Sequence, residues 1–128
     1  MRVSNFMGVV ILESLNDPSI IDQRVSIIRE SNIKAPPDDP YPIWSRRLLR
    51  IKFENMIEFA EDLARNMTEN FYNHFVDDKT LVVVFKGRYF LLDKYDKSTW
   101  QPMVEYGETV RVGPAWTLSI PVDDDKLL

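Results

Sequence analysis

The chain contains no cysteine and only one histidine, His74. The absence of cysteine excludes disulfide bonds, thiol nucleophiles and thiolate metal ligands. A structural zinc site needs four protein ligands and a catalytic site three, usually with histidine or cysteine among them. Because carboxylates would have to supply nearly every ligand, we predict no metal site.

Glycine is also scarce, with only 4 residues in the chain. Their positions exclude the G-x-G-x-x-G and Walker loops that bind phosphates through backbone N–H groups, and no G-x-S-x-G nucleophile elbow occurs. The acidic runs "DKYD" at 93 to 96 and "DDD" at 123 to 125 lack the spacing of an EF-hand loop. The sequence therefore predicts no cofactor.

Long hydrophobic runs and an excess of positive charge are missing as well. The longest apolar runs, "GVVIL" and "LVVVF", are much shorter than the roughly 20 residues of a membrane-spanning helix. Glu13 and the turn sequence "NDP" interrupt the first run, so no signal peptide is expected. The net charge of -4 disfavours nucleic acid and anionic lipid as partners. We predict a cytoplasmic protein that binds neither nucleic acid nor membrane.

The first half of the chain predicts three strands and a proline-rich loop. The apolar run "FMGVVILES" is typical of a strand buried on both faces, over about 7 to 14, and "QRVSIIRES" predicts a weaker strand around 24 to 30. "APPDDPYP" contains four prolines, which favour an extended loop over 32 to 46. The alternation in "RLLRIKFE" predicts a strand over 47 to 54.

A helix is predicted next, because apolar residues recur every three or four positions from Met56 to Phe75. His74 would then lie in the last turn, where a polar or cationic side chain suits the exposed carbonyl groups. This interpretation makes His74 part of a helix end. The alternatives are a catalytic acid or base and a metal ligand.

The remaining chain predicts a hairpin, a helix, a strand and a tail. "LVVVF-KGR-YFLLD" indicates a β-hairpin with Gly87 in its turn. A helix beginning at Ser98 or Thr99 is expected to end at Gly113 and Pro114. "AWTLSIP" predicts a last strand, and 122 to 128 an acidic frayed tail.

From residue 47 the predicted order is βαββαβ, which is the ferredoxin-like arrangement. We therefore predict a single α+β domain over 1 to 128, with one or two additional N-terminal strands and an antiparallel sheet that carries two helices on one face. The strands at 47 to 54 and 89 to 93 would be central neighbours. Arg50 and Lys52 would emerge on the face away from the helices.

"KGRYFLL" partly matches a motif of ferredoxin-like RNA-binding modules. The matching residues are Lys86, Gly87, Phe90 and Leu91. Arg88, however, stands where a base-stacking aromatic belongs, and Tyr89 where a small residue belongs. The net negative charge is also unsuited to phosphate. RNA binding is therefore the third of our three functional hypotheses.

The chain resembles a family of small uncharacterised prokaryotic proteins through "GVVILESLNDPSIID" at 8 to 22, "FYNHF" at 71 to 75, the "VVVFKGRYF" hairpin and "YGETVRVGPAWTLSIP" at 106 to 121. The segment from 23 to 46 is not covered. The resemblance implies one compact domain but no activity, substrate or cofactor. Members of this family tend to carry an acidic residue at the position of His74, which implies no essential imidazole there.

Two hypotheses from different classes precede RNA binding. The first is a non-enzymatic interaction domain that forms a homodimer through an exposed sheet face or an edge strand. The second is a small-molecule binding protein or enzyme with a pocket between the sheet and the proline-rich loop. Its candidate residues are Arg50, Lys52 and Tyr89 for ligand binding and His74 for catalysis. The tryptophans are expected in the core or in an interface.

Overall fold

The computed structural model describes residues 5 to 122. They form an α+β fold with six strands in one sheet, which confirms the predicted class. The strands are β1 (Phe6–Ile11), β2 (Val25–Lys34), β3 (Ile43–Ile51), β4 (Asn73–Val76), β5 (Thr80–Phe85) and β6 (Arg88–Asp93). The helices are α1 (Phe53–Asn66), α2 (Gln101–Thr109) and α3 (Pro114–Thr117). Apart from Val122, the predicted acidic tail lies outside the described residues.

The strand order is β2-β3-β1-β4-β5-β6, and every neighbouring pair is antiparallel. The ferredoxin-like topology is not confirmed, because β3 lies between β1 and β2 and is not a neighbour of β6. The segment predicted as the last strand instead contains α3. Pro114, whose fixed φ suits the first turn of a helix, starts α3 and removes a closing strand from the sheet.

The two longer helices cover opposite faces of the sheet, so the prediction that they share one face is wrong. On the first face, Val82 and Val84 of β5 belong to the same buried cluster as Phe59 of α1. On the second face, Val83 belongs to a buried cluster that includes Met103 of α2. We call these the α1 face and the α2 face. β5 is apolar on both sides, which is the pattern of a strand covered on both.

The predicted helix from Met56 to Phe75 is too long, because α1 ends at Asn66. Asn70 has a φ of 77°, a left-handed conformation that asparagine tolerates better than most residues and that prevents a continuous helix. The aromatic-rich segment that follows forms β4, in which every residue is buried. His74 therefore lies in the middle of the sheet rather than in a last helical turn.

Two contacts hold β4 beside β1. Asn73 accepts a hydrogen bond from the backbone N–H of Ile11 through Oδ1 at 3.0 Å and donates one to Ser14 Oγ through Nδ2 at 3.0 Å. At Gly8 the strands approach so closely that a Cβ would overlap the carbonyl oxygen of His74 and the side chain of Phe75. These contacts fix the position of His74 relative to β1.

The connection between β2 and β3 spans 35 to 42 and is shorter than the predicted loop over 32 to 46, because both strands extend into the predicted region. Its ends are joined by a hydrogen bond from Ala35 N to Pro42 O at 3.1 Å. A turn inside it is closed by a bond from Asp39 N to Pro36 O at 3.0 Å. The loop is therefore short and internally hydrogen-bonded.

The β5–β6 hairpin is confirmed. Phe85 pairs with Arg88, and Gly87 between them has a φ of +88°, which glycine adopts without strain. Within residues 5 to 122, no helix is long and apolar enough to cross a membrane.

Candidate functional site: a groove on the α2 face

A groove with a volume of about 630 Å³ lies on the α2 face. Its floor is formed by side chains from four adjacent strands. Val9 of β1 pairs with His74 of β4, and Ile11 of β1 pairs with Arg46 of β3. Since directly opposed residues of a sheet point to the same face, these side chains share one surface.

Two segments form the walls above this floor. The first is the proline-rich connection, which contributes Pro36, Asp38, Asp39 and Pro40. The second is the chain that follows α2, from Arg111 to Pro121. The groove therefore lies between the sheet and the proline-rich loop, where our second hypothesis expected a pocket.

Aromatic side chains line much of the groove. The ring centroid of Trp44 lies 5.9 Å from that of Phe71 in an edge-on arrangement and 6.3 Å from that of Trp116. The ring centroid of Tyr72 lies 5.9 Å from that of His74. Trp116 is 48% exposed, so one wall of this aromatic lining is open to solvent. Such a surface suits a flat apolar ligand.

His74 is buried in the groove floor, and its two ring nitrogens differ. The imidazole forms a hydrogen bond with the backbone of Pro121. Proline has no N–H, so its carbonyl oxygen accepts the bond from the ring. Nε2 is shielded from solvent and has no hydrogen-bond partner among the described residues. We therefore assign the proton to Nδ1, which leaves the lone pair of Nε2 without a partner among the described residues.

Burial lowers the pKa of His74 to about 4, against the smaller opposite effect of the Pro121 carbonyl. The ring is consequently neutral at physiological pH, and Nε2 is a hydrogen-bond acceptor. Burial also raises the pKa of the neighbouring Tyr72 hydroxyl to about 12, so that side chain is neutral as well.

Trp44 contributes a second unused polar atom to the same groove. Its indole Nε1–H is shielded from solvent and finds no acceptor within residues 5 to 122. A buried donor or acceptor left without a partner costs roughly 1 to 3 kcal/mol. The groove thus contains an unpaired donor and an unpaired acceptor, and an occupant that bonded both would recover this free energy.

Arg46 is a half-buried cation in the groove. Its Nε donates to Ser31 Oγ at 3.2 Å, and in the described part of the chain no carboxylate forms an ion pair with its guanidinium. Arg111 differs, because it is exposed and forms an ion pair with Glu69 at 3.0 Å. Among the described residues, Arg46 is therefore a groove cation that forms no ion pair.

Two non-glycine residues with positive φ both line the groove. They are Asn70, with a φ of 77°, and Arg111, with a φ of 68°. The backbone N–H of Asn70 donates to Val110 O at 2.9 Å, which joins the two segments. Left-handed backbone at non-glycine residues costs free energy and is concentrated at functional sites.

The structure places three of the candidate residues outside the groove. Arg50 and Lys52 are exposed and line neither this groove nor the shallower depression on the α1 face. Tyr89 lies in that depression, beside Glu61 and Arg65. Of the four candidates, only His74 lies in the groove.

Trp44, Arg46 and Trp116 were not selected as site residues from the sequence. Trp44 and Arg46 alternate along β3, which is the spacing of side chains on one face of a strand. An indole and a guanidinium on the same face of a strand, directly after a proline-rich loop, are the sequence features that could have indicated a binding site. Their proximity to His74 depends on the strand order.

The segment that resembles an RNA-binding motif is not arranged for base stacking. Phe90 is only 7% exposed and packs against Phe85 and Tyr106 at ring-centroid distances of 6.1 and 5.8 Å. Arg88 covers it from 4.4 Å. A base could not stack on this ring without displacing its neighbours.

Within residues 5 to 122, no cluster of three or more histidine, aspartate or glutamate side chains could hold a metal ion. The described lining of the groove also contains no serine, threonine or lysine. The side chains that line the groove can form hydrogen bonds, ion pairs and aromatic contacts.

No protein-family model, curated protein sequence or solved structure matches this chain. The resemblance to a family of small uncharacterised prokaryotic proteins therefore stays a prediction.

Proposed function

We propose that this protein binds a small organic molecule in the groove on the α2 face. One observation carries the proposal: His74 Nε2 and Trp44 Nε1 are both shielded from solvent, both lack a hydrogen-bond partner in the described part of the chain, and both belong to residues that line the same groove. Concave sites with mostly aromatic walls and a few converging polar groups are typical of ligand-binding pockets.

Binding is supported better than catalysis. A pKa of about 4 makes His74 a weak base at neutral pH, whereas a general base works best with a pKa near the operating pH. The described lining offers no hydroxyl of serine or threonine and no amine that His74 could activate. The neutral imidazole is suited to accepting a hydrogen bond from a ligand.

An occupant can reach the two shielded atoms only if a wall residue moves. Trp116 is the exposed member of the aromatic wall and contacts Trp44 directly. Trp116 packs on Trp44 and lies outside the sheet, so we propose that it is the residue that moves when an occupant enters. We therefore expect binding to change the environment of Trp116 as well as that of Trp44.

The three indole N–H signals in a ¹⁵N-edited NMR spectrum provide the test, because the chain contains 3 tryptophans. Trp100 is an internal control: it is buried elsewhere, and its Nε1 donates to Asp93 O at 2.8 Å. In a screen of small aromatic fragments, we expect some to shift the signals of Trp44 and Trp116 while that of Trp100 stays in place.

A blocking variant separates binding in the groove from binding elsewhere. Ala115 is exposed and lines the groove, so Ala115→Trp is expected to fill the space and abolish the shift of Trp44. If no fragment moves the Trp44 signal at millimolar concentration, the proposed function is wrong.

We propose self-association as a second candidate, because β2 is an edge strand on which Ile27 and Ile28 are 49% and 41% exposed. A bulge between Ile27 and Arg29, and the charges of Arg29 and Glu30, oppose edge-to-edge pairing. Of the two interfaces in the original hypothesis, a sheet face or an edge strand, these exposed residues favour the edge strand. Sedimentation equilibrium at micromolar concentration tests it. A dimer that dissociates in Ile28→Lys would support it, and a strictly monomeric mass would contradict it.

A further inference from the structure

We propose that the groove selects an aromatic monocarboxylate that carries an O–H or N–H donor at the end away from its carboxylate. This inference rests on the proposed function and adds the chemical class of the ligand. It follows from the positions of three polar groups along the groove floor.

Two hydrogen-bond donors on one strand indicate where the carboxylate of the ligand would bind. Arg46 and Trp44 are two residues apart on β3 and both line the groove, which places their Cα atoms about 7 Å apart on one face. The guanidinium has no carboxylate partner in the described chain, and the indole N–H has no acceptor there. Together they form a pair of donors without an anion, and the planar fork of arginine matches a carboxylate.

Two aspartates in the opposite wall of the groove favour a ligand with a single negative charge. Asp38 and Asp39, from the proline-rich connection, line the same groove. Their negative charges oppose a phosphate dianion more strongly than a singly charged carboxylate. A monoanion can pair with Arg46 and experience less repulsion from this wall.

His74 indicates where the O–H or N–H donor of the ligand would bind. With the proton assigned to Nδ1, on the evidence of the Pro121 carbonyl and the unpaired Nε2, the role of Nε2 is to accept a hydrogen bond. His74 lies two strands from Arg46, with a two-residue offset along the strands. Sheet spacing then separates the two Cα atoms by about 12 Å. A ligand that bonds both side chains therefore has its two polar groups at opposite ends.

The body of the ligand lies between these ends, beside Trp44, Phe71 and Tyr72. Aromatic rings favour offset-stacked or edge-on contacts with another ring. These contacts match a ligand with a carboxylate at one end, a flat apolar ring in the middle and a hydrogen-bond donor at the other end. An aromatic ring with para substituents has this arrangement.

Three probes separate the contributions. They are para-hydroxyphenylacetate, its uncharged amide, and phenylacetate, which lacks the hydroxyl. Dissociation constants are measured from the shift of the Trp44 indole signal. We expect the hydroxy acid to bind at least about tenfold more tightly than the amide, as a charge-assisted hydrogen bond predicts. Loss of the hydroxyl should weaken binding by about three- to tenfold.

Matched variants assign each preference to its residue. Arg46→Gln should remove the preference for acid over amide, whereas Arg50→Gln, an exposed position on the same strand and outside the groove, should keep it. His74→Phe should remove the preference for the hydroxyl. Each comparison uses a ratio of affinities within one variant, so a modest loss of stability does not obscure it.

Equal affinities for the acid and the amide in the unmodified protein would overturn this inference. So would a preference for the acid that persists in Arg46→Gln, or failure of all three probes to bind. The proposed function is judged separately by the fragment screen, since neutral fragments that bind in the groove would leave it intact.

Discussion

The imidazole of His74, on β4, donates an N–H to the carbonyl oxygen of Pro121, which follows α3. This bond joins the centre of the sheet to the segment that forms one wall of the groove. Nε2 has no hydrogen-bond partner within residues 5 to 122, and on this basis we assign the proton to Nδ1. The role of His74 as a hydrogen-bond acceptor in the groove depends on this contact.

We predict that the titration of His74 makes stability depend on pH. Its pKa is about 4 in the folded state and near 6.5 when exposed, so the unfolded state binds the proton more tightly. This contribution is complete above pH 6.5 and is lost as the pH falls towards 4. The loss should reach roughly 3 kcal/mol.

Urea denaturation of the wild-type protein and of His74→Phe, over about pH 4 to pH 8, measures this effect. Aspartates with lowered pKa values, such as Asp22 and Asp62, affect both proteins equally and cancel in the difference. The advantage of the wild type should shrink as the pH falls from 6.5 to 4. A difference that does not vary with pH would show that His74 is not buried in the neutral form.

Gly8 is predicted to be intolerant of any side chain. A Cβ there would overlap the His74 carbonyl and the Phe75 side chain, so Gly8→Ala must force β1 and β4 apart. Overpacking of this kind typically costs about 1 to 3 kcal/mol. At Gly113 an added Cβ would meet no atom within 4 Å, and Gly113→Ala should change stability by less than about 1 kcal/mol. Thermal denaturation compares the two, and equal effects would contradict the close approach of the strands.

Asn73 should be the more important of two asparagines in the sheet. It is buried and bonds both the N–H of Ile11 and the hydroxyl of Ser14, so Asn73→Ala leaves buried groups unpaired at a cost of about 2 to 3 kcal/mol. Asn32 on β2 is exposed, and Asn32→Ala should cost less than about 0.5 kcal/mol. Unfolding midpoints in urea measure both, and a stability of Asn73→Ala close to that of the wild type would be inconsistent with this network.

Ligand binding should vary little with pH until His74 becomes protonated. Protonation of Nε2 converts the acceptor into a donor, which repels the O–H or N–H of a ligand. Because the pKa of His74 is about 4, the affinity for para-hydroxyphenylacetate relative to phenylacetate should stay constant down to about pH 5 and then fall. NMR titrations at several pH values measure this ratio. A fall centred near 6.5 would mean that the imidazole is solvated.

The sequence predicted the presence of most elements, but their arrangement depended on contacts between distant residues. The uninterrupted apolar runs of β1 and β5 indicate strands covered on both faces, which is how both are buried. Periodicity cannot specify which strands are neighbours, so a βαββαβ pattern was compatible with a sheet in which β1 lies between β3 and β4. The helix prediction failed after Asn66, because Phe71 and Phe75 continue a helical spacing while Asn70 takes a left-handed conformation.

The sequence predicted individual parts of the site but not how they come together. His74 and the proline-rich loop were identified from the sequence, and both border the groove. Arg46 and His74 come together because β1 separates their strands, which no local pattern encodes. Arg50 alternates with Leu48 and Arg46 along β3, yet it lies beyond the groove, because the covering segments reach only the other end of the strand.

The most direct test of the account is a long-range ¹H–¹⁵N spectrum of the imidazole, which is unambiguous because the chain has 1 histidine. We predict a neutral ring at pH 7 with the proton on Nδ1, and an Nε2 resonance that moves when para-hydroxyphenylacetate is added. A proton on Nε2, a charged ring at this pH, or an Nε2 resonance that ignores the ligand would contradict the assignment of His74 as the acceptor in a ligand-binding groove.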